Sequence, residues 1–350
     1  MRRKRRIAVA MSGGVDSSVA AARLLAAGDE VFGLTMDTTG SGGPAADSAA
    51  AARQLGIPHR VVDLSREFRE RIVRAFADEY RRGRTPNPCV RCNALIKFGL
   101  LREKAVEFGA EFLATGHHAR AVVDASRGRT ILARGLDPDK DQSYFLYRLS
   151  QEALAAALFP VGGLLKSEVR EEAKRLGLGA AEKPESQEIC FVPGDDYPRF
   201  LRDVVPEAFQ PGPIVDAAGR LLGEHRGVAF YTVGQRRGLG IAAPRPLYVV
   251  EIRAPENTVV VGENGDLFRG RLRADDLSWV SGEEPVSALV VEARVRYRQV
   301  AVRAKVEPEG EGTVLVTFER PQWAVAPGQS VVFYSGDEVL GGGLIVAALA

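Results

Sequence analysis

Nine residues, Ala10-Met11-Ser12-Gly13-Gly14-Val15-Asp16-Ser17-Ser18, follow the short apolar run Ile7-Ala8-Val9 and precede an Ala-rich helical pattern through Ala27. This order reads as strand, tight loop, helix. Two glycines let backbone amides approach a phosphate, and the helix N-terminus that follows favours an anion. Three serine hydroxyls add donors, and Asp16 is placed to hold a metal or to order the loop. Neither G-x-x-x-x-G-K-[ST] nor G-x-G-x-x-G is present, so a Walker loop and a dinucleotide fingerprint are both excluded. An ordinary turn capped by Ser12 is the plainer alternative.

A second reactive stretch is Arg84-Thr85-Pro86-Asn87-Pro88-Cys89-Val90-Arg91-Cys92-Asn93, a proline-braced loop carrying two thiols. With a helix expected to begin near Asn93, Cys92 would lie at its N-terminus beside Arg91, two reasons for a lowered pKa and nucleophilic character. Cys-x-x-Cys also suits a metal, but one such pair is half a zinc site. Cys190, in Pro184-Glu185-Ser186-Gln187-Glu188-Ile189-Cys190-Phe191, has apolar neighbours and by itself reads as a small buried hydrophobe.

The surrounding elements explain how such distant residues could meet. Apolar runs at 31–36, 60–64 and 111–115 alternate with helical patterns, a long charged one spanning about 65–82. A doubly wound parallel α/β sheet is expected over 1–205. Ligands on such sheets sit at the carboxyl ends of the strands, where the glycine loop, Met36 and Gly116-His117 would converge. Beyond residue 206 the helical period disappears and Gly/Pro turns separate short alternating strands. Two small antiparallel β domains, at 206–271 and 272–350, are expected there. Strands are expected at 227–233, 247–252 and 258–261, and then at 288–295, 300–306, 313–318, 330–334 and 344–348. Gly341-Gly342-Gly343 reads as a bend.

Composition adds limits. The 350 residues exceed the usual single core. Lys plus Arg, 47, nearly balance Asp plus Glu, 45, so any nucleic-acid argument rests on local arginine patches. Arg294, Arg296 and Arg298 would share one face of a strand over 291–299 with Tyr297 opposite, a solvated face or a backbone-binding groove in line with Arg236, Arg237, Arg81, Arg82 and Arg84. No apolar run approaches the ~20 residues of a membrane helix. The basic start, Met1-Arg2-Arg3-Lys4-Arg5-Arg6, lacks a signal core and cleavage site and reads as a solvated leader. Three cysteines without a secretion signal imply a reducing, cytoplasmic setting.

Ser12-Gly-Gly-Val-Asp-Ser17 resembles the pyrophosphatase loop of enzymes that split ATP between its α and β phosphates. With Thr85-Pro-Asn-Pro88, Cys92-Asn93, Ala114-Thr-Gly-His117, Lys140-Asp-Gln-Ser-Tyr-Phe145, Ser186-Gln-Glu-Ile-Cys-Phe191 and Thr232-Val-Gly-Gln-Arg-Arg-Gly-Leu-Gly240, the chain resembles the tRNA-specific 2-thiouridylase family. The likeness runs from about residue 6 to the C-terminus. It implies an ATP- and Mg2+-dependent sulfurtransferase acting on the wobble uridine of the tRNAs for Lys, Glu and Gln. The sulfur would come from a persulfide donor such as a cysteine desulfurase or relay protein. It also implies a pyrophosphatase domain, a small central β domain and a C-terminal barrel.

By the same resemblance, Ala10, Met11, Ser12, Gly13, Gly14, Val15, Asp16, Ser17, Met36 and Gly116 would bind ATP. Cys190 would carry the persulfide and Cys92 would be its partner nucleophile. Asn87, Pro88 and Cys89 would lie beside the target base, while His117, Lys140, Asp141, Gln142, Arg296, Tyr297 and Gln329 would contact tRNA. Many relatives carry Asp where this chain has Cys89. With three thiols, Cys89, Cys92 and Cys190 could instead ligate a [4Fe–4S] cluster with an open iron. An amidotransferase-type synthetase and an RNA-binding protein with a vestigial loop are the competing readings. The paired cysteines and β modules have no use in the first, and the intact Ser12, Ser17 and Asp16 argue against the second.

Overall fold

The computed structural model describes residues 3–42, 45–182, 189–192, 197–202, 205–310 and 312–350. Its first layer is a five-stranded parallel sheet in the order His59–Asp63, Glu30–Asp37, Arg6–Ala10, Phe112–Thr115, Ala157–Leu158. The first strand is apolar from Ile7 to Ala10 because both of its faces are covered there. Ile7 and Val9 pack into one hydrophobic cluster and Ala8 into another. The order of strands reverses between Arg6–Ala10 and Phe112–Thr115, so the crevice for a ligand opens where those two strands end.

The helix Val15–Ala26 follows the glycine loop directly and buries Val15, Val19, Ala20, Ala21 and Ala22. Alanine is the strongest helix former and its small side chain lets the helix lie close to the sheet. A second helical run begins at Pro88, not near Asn93: Pro88–Arg91, Cys92–Leu101 and Arg102–Glu107 follow one another without a break. Asn87 caps it, its Oδ1 accepting from the Cys89 amide at 3.2 Å, and proline at the first position is preorganised for that geometry. The central part, Cys92–Leu101, has π-type rather than α-type hydrogen bonding.

The middle domain is a mixed sheet, Tyr248–Arg253, Thr258–Gly262, Gly212–Asp216, Leu221–His225, in which Thr258–Gly262 pairs parallel with Gly212–Asp216. The all-antiparallel expectation fails there, and the expected strand at 227–233 holds the 3-10 turn Val228–Phe230 instead. In the last domain six strands close into a barrel, because Phe268–Trp279 pairs with both Thr313–Trp323 and Glu338–Leu349. The proposed boundary at 271/272 falls inside that first barrel strand. Glycines 341–343 continue Glu338–Leu349, with Gly341 and Gly342 paired on both sides and Gly343 on one, rather than ending it in a bend.

A hairpin of the N-terminal domain, Ala119–Asp124 with Arg129–Arg134, extends the barrel sheet by pairing beside Glu338–Leu349. Arg127 and Arg129 both reach the Glu338 carboxylate, and Arg120 reaches Asp337. Among the described residues no helix is long and apolar enough to cross a membrane.

Candidate active site

Gly13 turns the loop with φ 73°, and a Cβ there would stand 2.5 Å from the Asp47 Cβ. Gly14 opens the helix without any side-chain cap of its own, while Ser12 Oγ accepts from the Gly14 amide at 3.4 Å within the turn. Ser17 and Ser18 hydroxyls both donate to the Gly14 carbonyl, at 3.1 and 2.9 Å, while the Ser12 amide donates to Ser17 Oγ at 3.4 Å. The first-turn amides have no acceptor within the helix, as at any helix N-terminus. Across it, Gly116 follows Phe112–Thr115, and a Cβ at that position would lie 2.6 Å from both Asp16 C and Ser17 N. Only a bare backbone fits between loop and strand.

Met11 donates its amide to Leu34 O at 2.7 Å and buries its side chain beneath the sheet, so it offers the crevice backbone alone. Ala10 ends the first strand, Val15 is buried, and Met36 lies near the end of the second strand, packed against the main core. The ten residues assigned to ATP thus gather around the reversal of strand order.

Asp16 is paired more closely than its sequence context reveals. Lys166 Nζ lies 2.6 Å from each carboxylate oxygen, and His118 Nε2 lies 3.3 Å from Oδ1. Burial alone would raise its pKa, but the His118 and Lys166 hydrogen bonds outweigh that and hold it below the ordinary range. Lys166 was missed in the sequence although a signal existed. It opens the helix Lys166–Arg175, where a cation opposes the helix dipole. His118 is 2% exposed and bonds the loop's carboxylate.

The three thiols, distant in sequence, lie within reach of one another's charge. Cys89 and Cys190 are exposed and Cys92 is buried. The expectation of a lowered Cys92 pKa is overturned. The helix begins a full turn earlier, placing Cys92 inside it, and burial pushes the thiol up to about 12. Arg91 acts on Tyr147 and Asp276, not on Cys92. Desolvation by the groups packed around its sulfur, together with the neighbouring Cys190, pushes Cys89 up to about 11 although the residue reaches the surface, and desolvation raises Cys190 as well. Lys97, which sequence reasoning also missed, pulls all three down.

His117 links thiols and crevice. Its Nδ1 lies 2.7 Å from Thr115 Oγ1, and its ring stands 6.1 Å from that of Phe98 on the thiol-bearing helix. Burial, then Lys97 and His118, hold its pKa well below the usual histidine range, so it is neutral. Among the described residues no three His, Cys, Asp or Glu side chains converge as a metal site, so the cysteines as arranged do not fit the alternative cluster. Asp16 would serve Mg2+, which usually takes one or two carboxylates and completes its shell with phosphate oxygens and water, only on release of an oxygen that Lys166 now binds. Ser186, Gln187 and Glu188, within the Cys190 segment, lie outside the described residues.

Most of the residues assigned to tRNA lie along one seam where the domains meet. Asp141 is 3% exposed, and its carboxylate accepts from the amides of Gly135 and Ser143, the Ser143 hydroxyl, and Arg294 of the barrel at 3.3 Å. That full set makes it an interdomain fastening rather than an available RNA contact. Gln142 Oε1 accepts from the His118 amide, and Lys140 is partly exposed beside it. Arg296 donates to Ala324 O and Val233 O, joining barrel to middle domain. Tyr297 packs on Phe145 with ring centroids 4.5 Å apart.

The arginine face expected over 291–299 does not form, because that strand ends at Arg294 and the chain turns. Gln329 Nε2 donates to Thr85 O at 2.7 Å, and the Thr85 amide donates to Pro327 O, so the barrel grips the loop leading to Asn87, Pro88 and Cys89. A cavity lined by Asn87, Pro88, Arg91, Tyr147, Arg148 and Asp276 opens beside that loop.

Residues 5–194 match the family model described as tRNA methyl transferase HUP domain, 198–263 its PRC-barrel domain, and 269–345 the aminomethyltransferase beta-barrel domain. The relatives carry a different activity in their names. The chain is 50% identical to the tRNA-specific 2-thiouridylase MnmA of Pelobacter propionicus, covering 98% of each chain. It is 50% identical to that of Geobacter metallireducens over 99% of this chain and 98% of the other. With that of Heliobacterium modesticaldum the figures are 46%, 99% and 94%. A nucleotide crevice joined to three thiols accords with the relatives' name rather than with methyl transfer. The chain belongs to the tRNA-specific 2-thiouridylase family.

Proposed function

We propose that this chain replaces O2 of the wobble uridine with sulfur in the tRNAs for Lys, Glu and Gln, splitting ATP to AMP and pyrophosphate. The observation that carries this reading is the connection of two sites: the thiol-bearing helix touches His117, which directly follows Gly116 of the nucleotide crevice.

A uracil C2 carbonyl is a poor electrophile because oxide would have to leave. Attack of its oxygen on the α-phosphorus releases pyrophosphate and turns that oxygen into part of AMP, a good leaving group. The amides after Gly13 and Gly14 bind the phosphates, and Asp16 would hold Mg2+, which supplies charge neutralisation on the phosphoryl oxygens when bound. Lys166 must then share or yield the Asp16 carboxylate.

The terminal sulfur of a Cys190 persulfide attacks C2 and AMP leaves. The Cys92 thiolate then attacks Cys190 Sγ, the bond to the transferred sulfur breaks, and that sulfur stays on C2. A Cys92–Cys190 disulfide results, and an external thiol reductant resets it. A persulfide protein of the reducing cytoplasm is the donor. The seam holding Lys140, Gln142, Arg296, Tyr297 and Gln329 lies where the anticodon arm would approach, with Asn87, Pro88 and Cys89 next to the base. Incubation with ATP, unmodified tRNA and a persulfide donor tests the reading. Pyrophosphate together with thiolated tRNA is expected, and pyrophosphate formed only with an amino acid would refute it.

A further inference from the structure

Lys97 is absorbed by none of the roles above. It lies five residues after Cys92, which in a regular α-helix would put it about 140° around the axis from that thiol. The stretch Cys92–Leu101 is π-bonded, however, so residues five apart become hydrogen-bonded neighbours along one side. Its chain neighbour Phe98 lies against His117, so this turn faces the nucleotide crevice.

The charge of Lys97 reaches Cys89 and Cys92 on its own helix, Cys190 on the segment 189–192, and His117 after the fourth strand. Among the described residues no carboxylate is paired with it, and the side chain is half-buried. A half-buried ammonium gives up hydration, a cost that an anion at the site would repay.

We propose that Lys97 is a positioning residue of the sulfur-transfer step, its ammonium easing ionisation of whichever sulfur attacks: the outer sulfur of the Cys190 persulfide on C2, then Cys92 on Cys190 Sγ. This rests on the thiolation reading. The Cys92 proton goes to solvent, the thiolate electron pair forms the bond to Cys190 Sγ, the bond from that Sγ to the sulfur on C2 breaks with its electron pair passing to the 2-thiouridine, and Lys97 takes no part in the bond changes. The π-type register exists, on this account, to turn Lys97 onto the thiol side.

The test uses the full chain with Cys89→Ser and Cys92→Ser, leaving Cys190 as the sole thiol. Alkylation by iodoacetamide is followed by mass across neutral to alkaline pH. Lys97→Met is expected to raise the pH midpoint by about one unit, slowing alkylation about tenfold below it, since one opposite charge at close range shifts a pKa by that order. Lys97→Arg is expected to restore most of the rate, with thermal unfolding and ATP binding unchanged in both. An unchanged midpoint in a folded Lys97→Met protein overturns the proposal. Should that variant lose its fold, Lys97→Gln is read in the same way. The assay contains neither ATP nor tRNA, so failure of the thiolation reading would appear separately, as an unmodified parent chain that never thiolates tRNA.

Discussion

Replacing Gly116 by alanine puts a single methyl where loop and strand leave no room. Its Cβ would stand 2.6 Å from two backbone atoms, Asp16 C and Ser17 N, neither of which can rotate aside. Ordinary carbon contacts lie at about 3.5–4.0 Å, so the loop must retreat by about 1 Å. Overpacking of this kind costs about 1–3 kcal/mol. If the loop yields, the strain reappears as lost ligand affinity, and about 1.4 kcal/mol per tenfold gives a roughly 5- to 150-fold weaker ATP complex. Isothermal titration with ATP, paired with thermal unfolding of the ligand-free chain, measures both routes by which the strain is relieved. Gly163→Ala serves as the control, because nothing lies within 4 Å of its added methyl. Native ATP affinity together with native thermal stability in Gly116→Ala would refute the reasoning that this crevice is closed to all but backbone.

Other consequences follow from the thiols and the seam. Cys92→Ser and Cys190→Ser should each abolish thiolation while ATP binding persists, whereas Cys89→Ser should retain thiolation; loss of activity in Cys89→Ser, with iron found on anaerobic reconstitution, would restore the cluster reading. A thiol near 12 is ionised to only about one part in thirty thousand at pH ~7.5, and its anionic fraction grows as pH rises. Single-turnover disulfide formation should therefore accelerate up to about tenfold per pH unit from neutral to alkaline conditions; a flat profile in rapid-quench measurements would contradict this. Asp141→Ala strands Arg294 in the seam, and breaking a buried pair costs about 3–5 kcal/mol, so lower thermal stability is expected. Unchanged stability with weaker tRNA binding would instead make Asp141 an RNA contact.

The parallel sheet was legible because its central strands are buried on both faces over 7–9 and 31–34 and read there as plain apolar runs. Ser12 to Ser17 announced the loop for the same reason: glycine and serine in that order have few other uses between a strand and a helix. What stayed hidden was long-range. Lys166 and His118 meet Asp16 only after 150 and 102 residues of chain have folded back. The barrel strand Phe268–Trp279 escaped notice because its inward positions include only Leu272, Ala274 and Trp279 among many charges. Cys92 was misread through one local detail: Asn87 and Pro88 cap and start the helix a turn ahead of where Asn93 would have done. Arg294 and Arg296 were legible as basic, but their use as fastenings between domains depends on partners, Asp141 and Val233, that no local pattern connects to them.

The central claim is that the crevice at Gly13–Gly116 and the Cys92–Cys190 pair act on one bound uridine. It is tested most directly by loading Cys190 with a 35S-labelled persulfide and adding one equivalent of unmodified tRNA, with and without ATP. Label should pass to the tRNA only when ATP is present, with AMP, pyrophosphate and a Cys92–Cys190 disulfide formed in equal amounts. Label transfer without ATP, or with both cysteines still reduced, would contradict it.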